Sequence, residues 1–151
     1  MSTRFHTQRL TRGDEALARQ LFVLMAEVFD ETAQPLGDAY LASLLARSGF
    51  WAFAAIADNE LIGGLTAHTL PMTRAECNEV FIYDIAVRED YQRRGVGRQL
   101  VAVLRESARE RDIVDVFVAA DNEDTHALDF YRALGGTAAP VTFFSFTTVE
   151  S

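Results

Sequence analysis

Apolar residues recur along the chain with two spacings, which predict alternating helices and strands. Leu17, Leu21, Leu24 and Val28 lie three or four residues apart, as on one face of a helix. Runs such as FWAFAAIA and VFIYDIAV are short, continuous and rich in branched or aromatic residues, as in buried strands. The predicted helices are 13–29, 39–47, 96–111 and 124–134, and the predicted strands are 4–10, 50–57, 61–70, 79–87 and 113–120, followed by a strand pair in 137–149.

The order of these elements favours an α/β (α+β) fold with a mixed, mostly antiparallel sheet. Four strands precede the helix at 96–111, and strands and helices alternate after it, so we expect helices on both faces of the sheet. The chain has no internal repeat or linker-like segment. Its 151 residues, 49% of them apolar, are the usual length of one domain, and we expect a single domain over 1–151.

The charge of the chain restricts the kind of partner it binds. Fourteen basic residues, all arginine, are outnumbered by 22 acidic residues, which gives a formal charge of −8. Such a balance disfavours nucleic acid and favours a cationic partner. Cys77 is the only cysteine, and the sequence shows neither a signal core nor a membrane-spanning apolar run. We therefore expect a cytoplasmic protein without disulfides, and the scattered histidines predict no metal site.

The stretch QRRGVGRQLV, residues 92–101, gathers arginines and glycines at the start of a predicted helix. Amides at a helix N-terminus attract anions, and glycine lets a ligand approach the backbone. A P-loop is excluded because the chain has no lysine, and the dinucleotide fingerprint fails because Leu100 occupies its third glycine position. From these residues alone, a pyrophosphate site and an ordinary helix start with solvated arginines are about equally supported.

Three motifs in order resemble the GNAT acetyltransferases. The segment QRRGVG at 92–97 matches their Gln/Arg-x-x-Gly-x-Gly/Ala signature, IAV precedes it at 85–87, and FY follows at 130–131. The resemblance implies the GNAT fold, with six to seven strands splayed between the fourth and fifth, about four helices, and acetyl-CoA bound in the splay. The implied cofactor-binding residues are Ile85, Ala86, Val87, Gln92, Arg93, Arg94, Gly95, Val96, Gly97, Arg98 and Tyr131.

Residues 22–146 further resemble the aminoglycoside 3-N-acetyltransferases of the gentamicin type. The segments VFIYDIAV, DAYLASLLARSGFWAFAA and VAADNEDTHALDFYRALG carry this resemblance. It implies acetyl transfer to the 3-amino group of an aminoglycoside, by direct attack in a ternary complex. The alternatives are a polyamine, a small amine or a protein N-terminus as acceptor, and a module that binds acetyl-CoA without catalysis. A homodimer packed through the aromatic tail is a further hypothesis.

Acetyl transfer to an amine requires a base for the ammonium group, stabilisation of an oxyanion and an acid for the leaving thiolate. Asp84, at the end of the strand expected to hold the thioester, is the first candidate for the base. Glu79 is the second, but it faces the opposite side of a regular strand unless a bulge intervenes. The resemblance makes Tyr131 the acid, near the sulfur of CoA. The structural alternatives are a strand-end carboxylate and a core tyrosine.

Acidic side chains are the expected partners of a polycationic acceptor. They cluster in the loop after the fifth predicted strand and in the break after the first helix. The candidate substrate-binding residues are Glu79, Tyr83, Asp84, Asp121, Glu123, Asp124, Asp30 and Glu31. Many GNAT proteins have asparagine in place of Asp124, and a carboxylate there suits a cationic acceptor. The alternatives are a solvated turn and, for Asp124, a helix cap.

Overall fold

The computed structural model describes residues 4–149. The chain divides into two compact units, one up to Ala119 and one from Ala120 onward. None of the helices in this described range is long and apolar enough to cross a membrane. The first unit contains β1 (His6–Arg9), α1 (Glu15–Val28), α2 (Asp38–Ala46), β2 (Phe50–Ala57), β3 (Glu60–Pro71), β4 (Asn78–Val87), α3 (Val96–Glu110) and β5 (Val116–Val118), and the second contains α4 (Thr125–Ala133).

The strands of the first unit form one sheet in the order β1-β2-β3-β4-β5. Pairing is antiparallel from β1 through β4, and β5 joins β4 in parallel, so the predicted mixed, mostly antiparallel sheet is confirmed. A tight turn links β2 to β3. Its two residues, Asp58 and Asn59, have φ values of 51° and 61°. Two successive positive values are typical of the type I′ turn, whose twist matches that of a hairpin.

The number of strands differs from the prediction of six to seven. The described residues form five strands, and 137–149 contain none, so the predicted final strand pair is wrong. A β-rich composition forms a strand only where another strand offers hydrogen-bonding partners, and α4 is the only helix or strand among the described residues of the second unit. The fifth strand is also shorter than the predicted 113–120, and its Phe117 is 39% exposed rather than buried.

Helices cover both faces of the sheet in the first unit, as predicted. On one face, α1 and α2 pack against the even-numbered residues of β2. On the other, α3 contacts β2, β3 and β4 and buries Leu100 and Leu104 completely. Gly64 sets how closely α1 approaches, because a Cβ atom there would lie 2.3 Å from Cδ1 of Leu21. The middle of α1, where Leu21 lies, is thereby held close to β3.

Candidate active site

A bulge in β4 changes the direction of its side chains in the middle of the strand. Thr66 of β3 pairs with Asp84, but the next residue, Ala67, pairs with Ile82. Tyr83 is therefore an extra residue of β4 without a partner on β3. Its side chain is 61% exposed. The bulge places an exposed aromatic ring directly before a carboxylate.

The same bulge places two candidate carboxylates on one face of the sheet. Glu79 pairs with Leu70, and Asp84 pairs with Thr66, four residues earlier on β3. Residues directly opposite one another in a sheet project from the same face, and so do residues four apart in a regular strand. Glu79 and Asp84 consequently share the face that α1 and α2 cover. A regular β4 would have separated them.

Asp84 occupies an environment that disfavours its charge. The residue is half-buried, and this burial raises the pKa of its carboxyl group above the usual 3.8. The negative charge of Glu31 raises the pKa of Asp84 further. A partly desolvated carboxylate beside a second one is a site that a bound ammonium group would stabilise.

The end of α1 explains how Glu31 comes close to Asp84. The backbone N–H of Glu31 donates to the carbonyl of Ala26 (2.8 Å), and that of Asp30 donates to Glu27 (3.2 Å). Asp30 itself has a left-handed φ of 56°. Together these features form a Schellman-type helix end, with aspartate at the position that glycine usually occupies. Asp30 forms the turn at the end of α1. Of the two candidate residues Asp30 and Glu31, it is Glu31 whose charge raises the pKa of Asp84.

A pocket of about 330 Å³ lies between α1 and the segment that follows it. Glu31 and Gln34 line it together with Phe22 of α1. Glu31 thus lines a concave surface and also influences Asp84.

A row of aromatic rings that was not predicted from the sequence crosses the sheet beside Asp84. Successive ring centroids are 5.0–6.4 Å apart, within the range for aromatic pairs. The row joins four strands and one helix, so no local pattern in the sequence reveals it. The one signal in the sequence is that His68 lies two residues after Thr66 on β3, which places both side chains on the same face of the sheet. Its members are, in order, Phe22, Phe50, His68, Tyr83, Phe81 and Phe117.

The glycine loop before α3 has the backbone conformation of an anion site. Arg93 and Gly95 adopt left-handed φ values of 64° and 82°, and α3 begins at Val96. Left-handed residues within a turn form concavities lined by backbone amides, and the first amides of a helix have no intrahelical partner. Arg93, Arg94 and Arg98 are exposed around this loop. These residues and Gly97, which follows Val96 on α3, fit a pyrophosphate group.

Side chains at the base of the glycine loop anchor it to the sheet. The Nε2 group of Gln92 donates to the carbonyl of Val87 (2.9 Å), at the end of β4. Arg88 is paired with Glu60 at 3.0 Å and lies 5.7 Å from the ring centre of Tyr91. Gln92, predicted to contact the cofactor, thus has an observed role in holding the loop against the end of β4.

One edge of β4 extends beyond its pairing with β5. Among the described residues, β5 pairs only with Val80, Phe81 and Ile82. The remainder of β4, which carries Ile85, Ala86 and Val87, continues past the end of β5. Backbone groups on that side are those that an extended ligand arm would pair with. The short pairing is the geometry that the expected splay requires.

Four candidate residues belong to the second unit. An Oδ1 atom of Asp121 accepts from the N–H of Glu123 (2.9 Å), and Oδ1 of Asp124 accepts from the N–H of Ala127 (3.0 Å). Asp124 is thus the N-cap of α4, as its alternative interpretation predicted. Tyr131 lies on α4, half-buried. The helix ends in a Schellman motif with Gly135 at φ 92°, which confirms the predicted glycine cap.

Comparison with known proteins identifies the family. Residues 16–135 match the model of the acetyltransferase (GNAT) family. An aminoglycoside acetyltransferase from an uncultured soil metagenomic sample, solved with trehalose and with sisomicin, is 33% identical in the trehalose complex, with a TM-score of 0.90 over 97% of both chains. A second such enzyme from a soil sample is 31% identical, with a TM-score of 0.92 over 97% of this chain and 99% of the other.

A curated relative points to a different acceptor. The ribosomal protein bS18 alanine N-acetyltransferase of Salmonella typhimurium is 30% identical over 70 residues, 46% of this chain and 47% of that protein. The chain spans less than half the length of the curated relatives it matches. The family match, in contrast, covers the glycine loop, β4 and α4. This chain belongs to the acetyltransferase (GNAT) family, whose members use acetyl-CoA as the acetyl donor.

Proposed function

We propose that this chain transfers the acetyl group of acetyl-CoA to the 3-amino group of an aminoglycoside, by direct attack in a ternary complex. The main support is the half-buried carboxylate of Asp84, on β4 beside the part of that strand that β5 does not pair with, together with the charge of Glu31, which follows α1. The soil enzyme that is 32–33% identical was solved with sisomicin, which supports the same acceptor class. The family match spans both units, which supports one catalytic domain over 1–151.

On the acceptor side, Asp84 binds the reacting ammonium group and takes its proton, directly or through one water. A raised pKa makes a carboxylate a better proton acceptor near neutral pH. Glu31 binds a second ammonium group of the same acceptor, and Glu79 adds negative charge on the same face. In the second unit, Tyr131 is the candidate acid for the leaving thiolate, and Asp121 and Glu123 are candidate acidic groups for a cationic acceptor.

On the donor side, the loop at 92–98 holds the pyrophosphate through backbone amides and arginine charge. The backbone of Ile85 and Val87 binds the extended arm at the free part of β4. Acetyl-CoA supplies the thioester carbonyl that an amine attacks. The acidic chain thus has a local basic site for its anionic donor and an acidic site for its cationic acceptor.

A thiol-release assay tests this function. Wild-type protein with acetyl-CoA is given gentamicin, spermidine, or a peptide with an N-terminal alanine, and the position of acetylation on the product is determined. We expect turnover with gentamicin, acetylated at the 3-amino group. Preferential turnover of spermidine or the peptide would contradict the proposal. Tight binding of CoA without transfer to any amine would identify a non-catalytic module instead.

Replacement of Arg93 tests the assignment of the glycine loop. Arg93→Ala is expected to raise KM for acetyl-CoA about five- to thirtyfold, because one charge-assisted contact to phosphate contributes about 1–2 kcal/mol. KM for the amine should change by less than about twofold. Arg105→Ala, at an exposed position of α3 beyond the loop, is the matched control and should behave as wild type. A larger effect on the amine than on acetyl-CoA would show that the loop is misassigned.

Glu31 is predicted to contribute to acceptor binding without taking part in proton transfer. Glu31→Gln should raise KM for gentamicin about two- to fivefold with little change in kcat, since an exposed ion pair contributes up to about 1 kcal/mol. Raising the salt concentration should shrink the difference. Glu27→Gln, an exposed residue one turn earlier on α1, controls for the lost charge. Equal effects of both replacements on KM for gentamicin would show that Glu31 acts only through the overall negative charge of the surface and does not contact the acceptor.

A further inference from the structure

His68 has an unusual position for a histidine that no step of the proposed chemistry uses. Its ring centre lies 5.4 Å from that of Phe50 and 5.5 Å from that of Tyr83, edge-on to the tyrosine with an interplanar angle of 83°. The residue is half-buried. Two aromatic contacts on opposite neighbours hold the imidazole in one orientation, and through it they orient Tyr83.

The register of the sheet places His68 on the acceptor face. His68 is two residues from Thr66, the partner of Asp84, so the two side chains on β3 project from the same face. Tyr83, the extra residue of the bulge, is the residue directly before Asp84. The contact between His68 and Tyr83 therefore fixes an exposed ring next to the carboxylate that is proposed to bind the amine.

The charge state of His68 matters because of its surroundings. Burial lowers the pKa of the imidazole below its ordinary value, and the positive charge of Arg47, after α2, lowers it further. Charged groups on the same side of the sheet include Glu79 and Asp84 on β4 and Glu31 after α1. Carboxylates would favour a protonated imidazole, but the burial effect is the larger one here. At neutral pH the ring is uncharged and does not compete with an ammonium group for these carboxylates.

We propose that His68 is a positioning residue of the acceptor site. Its uncharged ring holds Tyr83 as an aromatic wall, against which a sugar ring carrying ammonium groups packs while Asp84 and Glu31 bind its charges. The inference rests on the proposed function, because it assumes that the acceptor binds at the Asp84 face. The aromatic wall selects acceptors that contain a ring, and the carboxylates select acceptors that carry positive charge.

Three replacements of His68 separate its shape from its charge. His68→Ala removes the ring contact and should raise KM for gentamicin about two- to tenfold. His68→Lys adds a charge and should raise it by about tenfold or more. His68→Phe keeps a ring and should restore most of the wild-type KM. In all three variants KM for acetyl-CoA should stay within about twofold of wild type, and spermidine, which has no ring, should be less sensitive than gentamicin to the alanine replacement.

Nuclear magnetic resonance of the histidine ring provides a readout that does not depend on turnover. In wild-type protein without acetyl-CoA, saturating gentamicin should lower the pKa of His68, because ammonium groups bound nearby disfavour a second positive charge. His6 and His126 are the internal references. An unchanged pKa of His68 with normal gentamicin turnover, or equal increases of both KM values in the alanine variant, would overturn this inference alone. Absence of gentamicin binding and turnover in the wild type would overturn the proposed function and the inference together.

Discussion

Asp84→Asn is expected to lower kcat/KM for gentamicin by about 10²–10⁴-fold, the usual contribution of a positioned base. Asparagine keeps the shape of the side chain but cannot accept the proton of the ammonium group or offset its charge. KM for acetyl-CoA should remain within about twofold, because the donor is assigned to the loop at 92–98. Initial rates measured with each substrate varied in turn would separate these effects.

The carboxylate of Glu79 provides the comparison for this replacement. It lies on the same face as Asp84 and is the second candidate for the base. Glu79→Gln should reduce kcat/KM far less than Asp84→Asn. Near-normal turnover in Asp84→Asn, together with a large loss in Glu79→Gln, would transfer the role of base to Glu79. A large rise of KM for acetyl-CoA in Asp84→Asn would instead indicate that the strand itself is disturbed.

Asp84→Asn, which is expected to lower activity, is also expected to increase the stability of the folded protein. The pKa of Asp84 is raised in the folded protein, so the folded state binds a proton more tightly than the unfolded state does. Stability therefore falls as the pH rises from the ordinary pKa of 3.8 through the raised pKa, and the deficit persists above it. Asp84→Asn should raise Tm at pH 7 relative to wild type. The gain should disappear below about pH 3.8, where both states are protonated. A lower Tm at pH 7 would contradict an uncompensated carboxylate at this position.

A gain of stability with a loss of activity is the pattern expected of a residue kept for function. We expect the half-buried carboxylate of Asp84, beside Glu31, to lower stability at neutral pH until a cationic acceptor binds. Gentamicin should accordingly raise Tm of the wild type more than that of Asp84→Asn, and this measurement needs no acetyl-CoA.

Tyr131→Phe is expected to lower kcat by about 10²-fold or more while leaving both KM values within about threefold. The replacement removes one hydroxyl group from the half-buried side chain and keeps its ring, so α4 should retain its structure. Loss confined to kcat would indicate a group that acts in the chemical step, as the proton donor to the leaving thiolate does. Single-turnover measurements would show whether that step, rather than product release, is slowed.

Tyr40→Phe is the matched control for the loss of a tyrosine hydroxyl. Tyr40 lies on α2 and is 58% exposed, and it has no proposed role in the reaction. Its replacement should leave kcat unchanged. Full turnover in Tyr131→Phe would assign the Tyr131 hydroxyl a structural role, in accordance with the alternative of a core tyrosine. A lowered Tm together with a lowered kcat would also favour that alternative.

Much of the fold is encoded by local signals that can be read along the chain. The prediction for β2 has the boundaries of the observed strand, and α3 ends one residue before its predicted end. A glycine pair after α4 forms the predicted cap, because the left-handed conformation requires little beyond a residue without a side chain. The proposed pyrophosphate site is equally local, since the loop at 92–98 and the start of α3 are contiguous in sequence.

The acceptor site depends on contacts between distant segments, which no local pattern specifies. The bulge that brings Glu79 and Asp84 to one face is visible only in the pairing of β3 with β4. The approach of Glu31 to Asp84 needs the packing of α1 on the sheet, and the row of rings through His68 joins residues from 22 to 117. The absence of strands in 137–149 has the same physical origin, since β-structure requires a partner as well as a suitable composition. Sequence alone therefore determined the class of fold and the family and singled out the glycine loop as a candidate anion site, whereas the side chains proposed to select an amine came together only through tertiary packing.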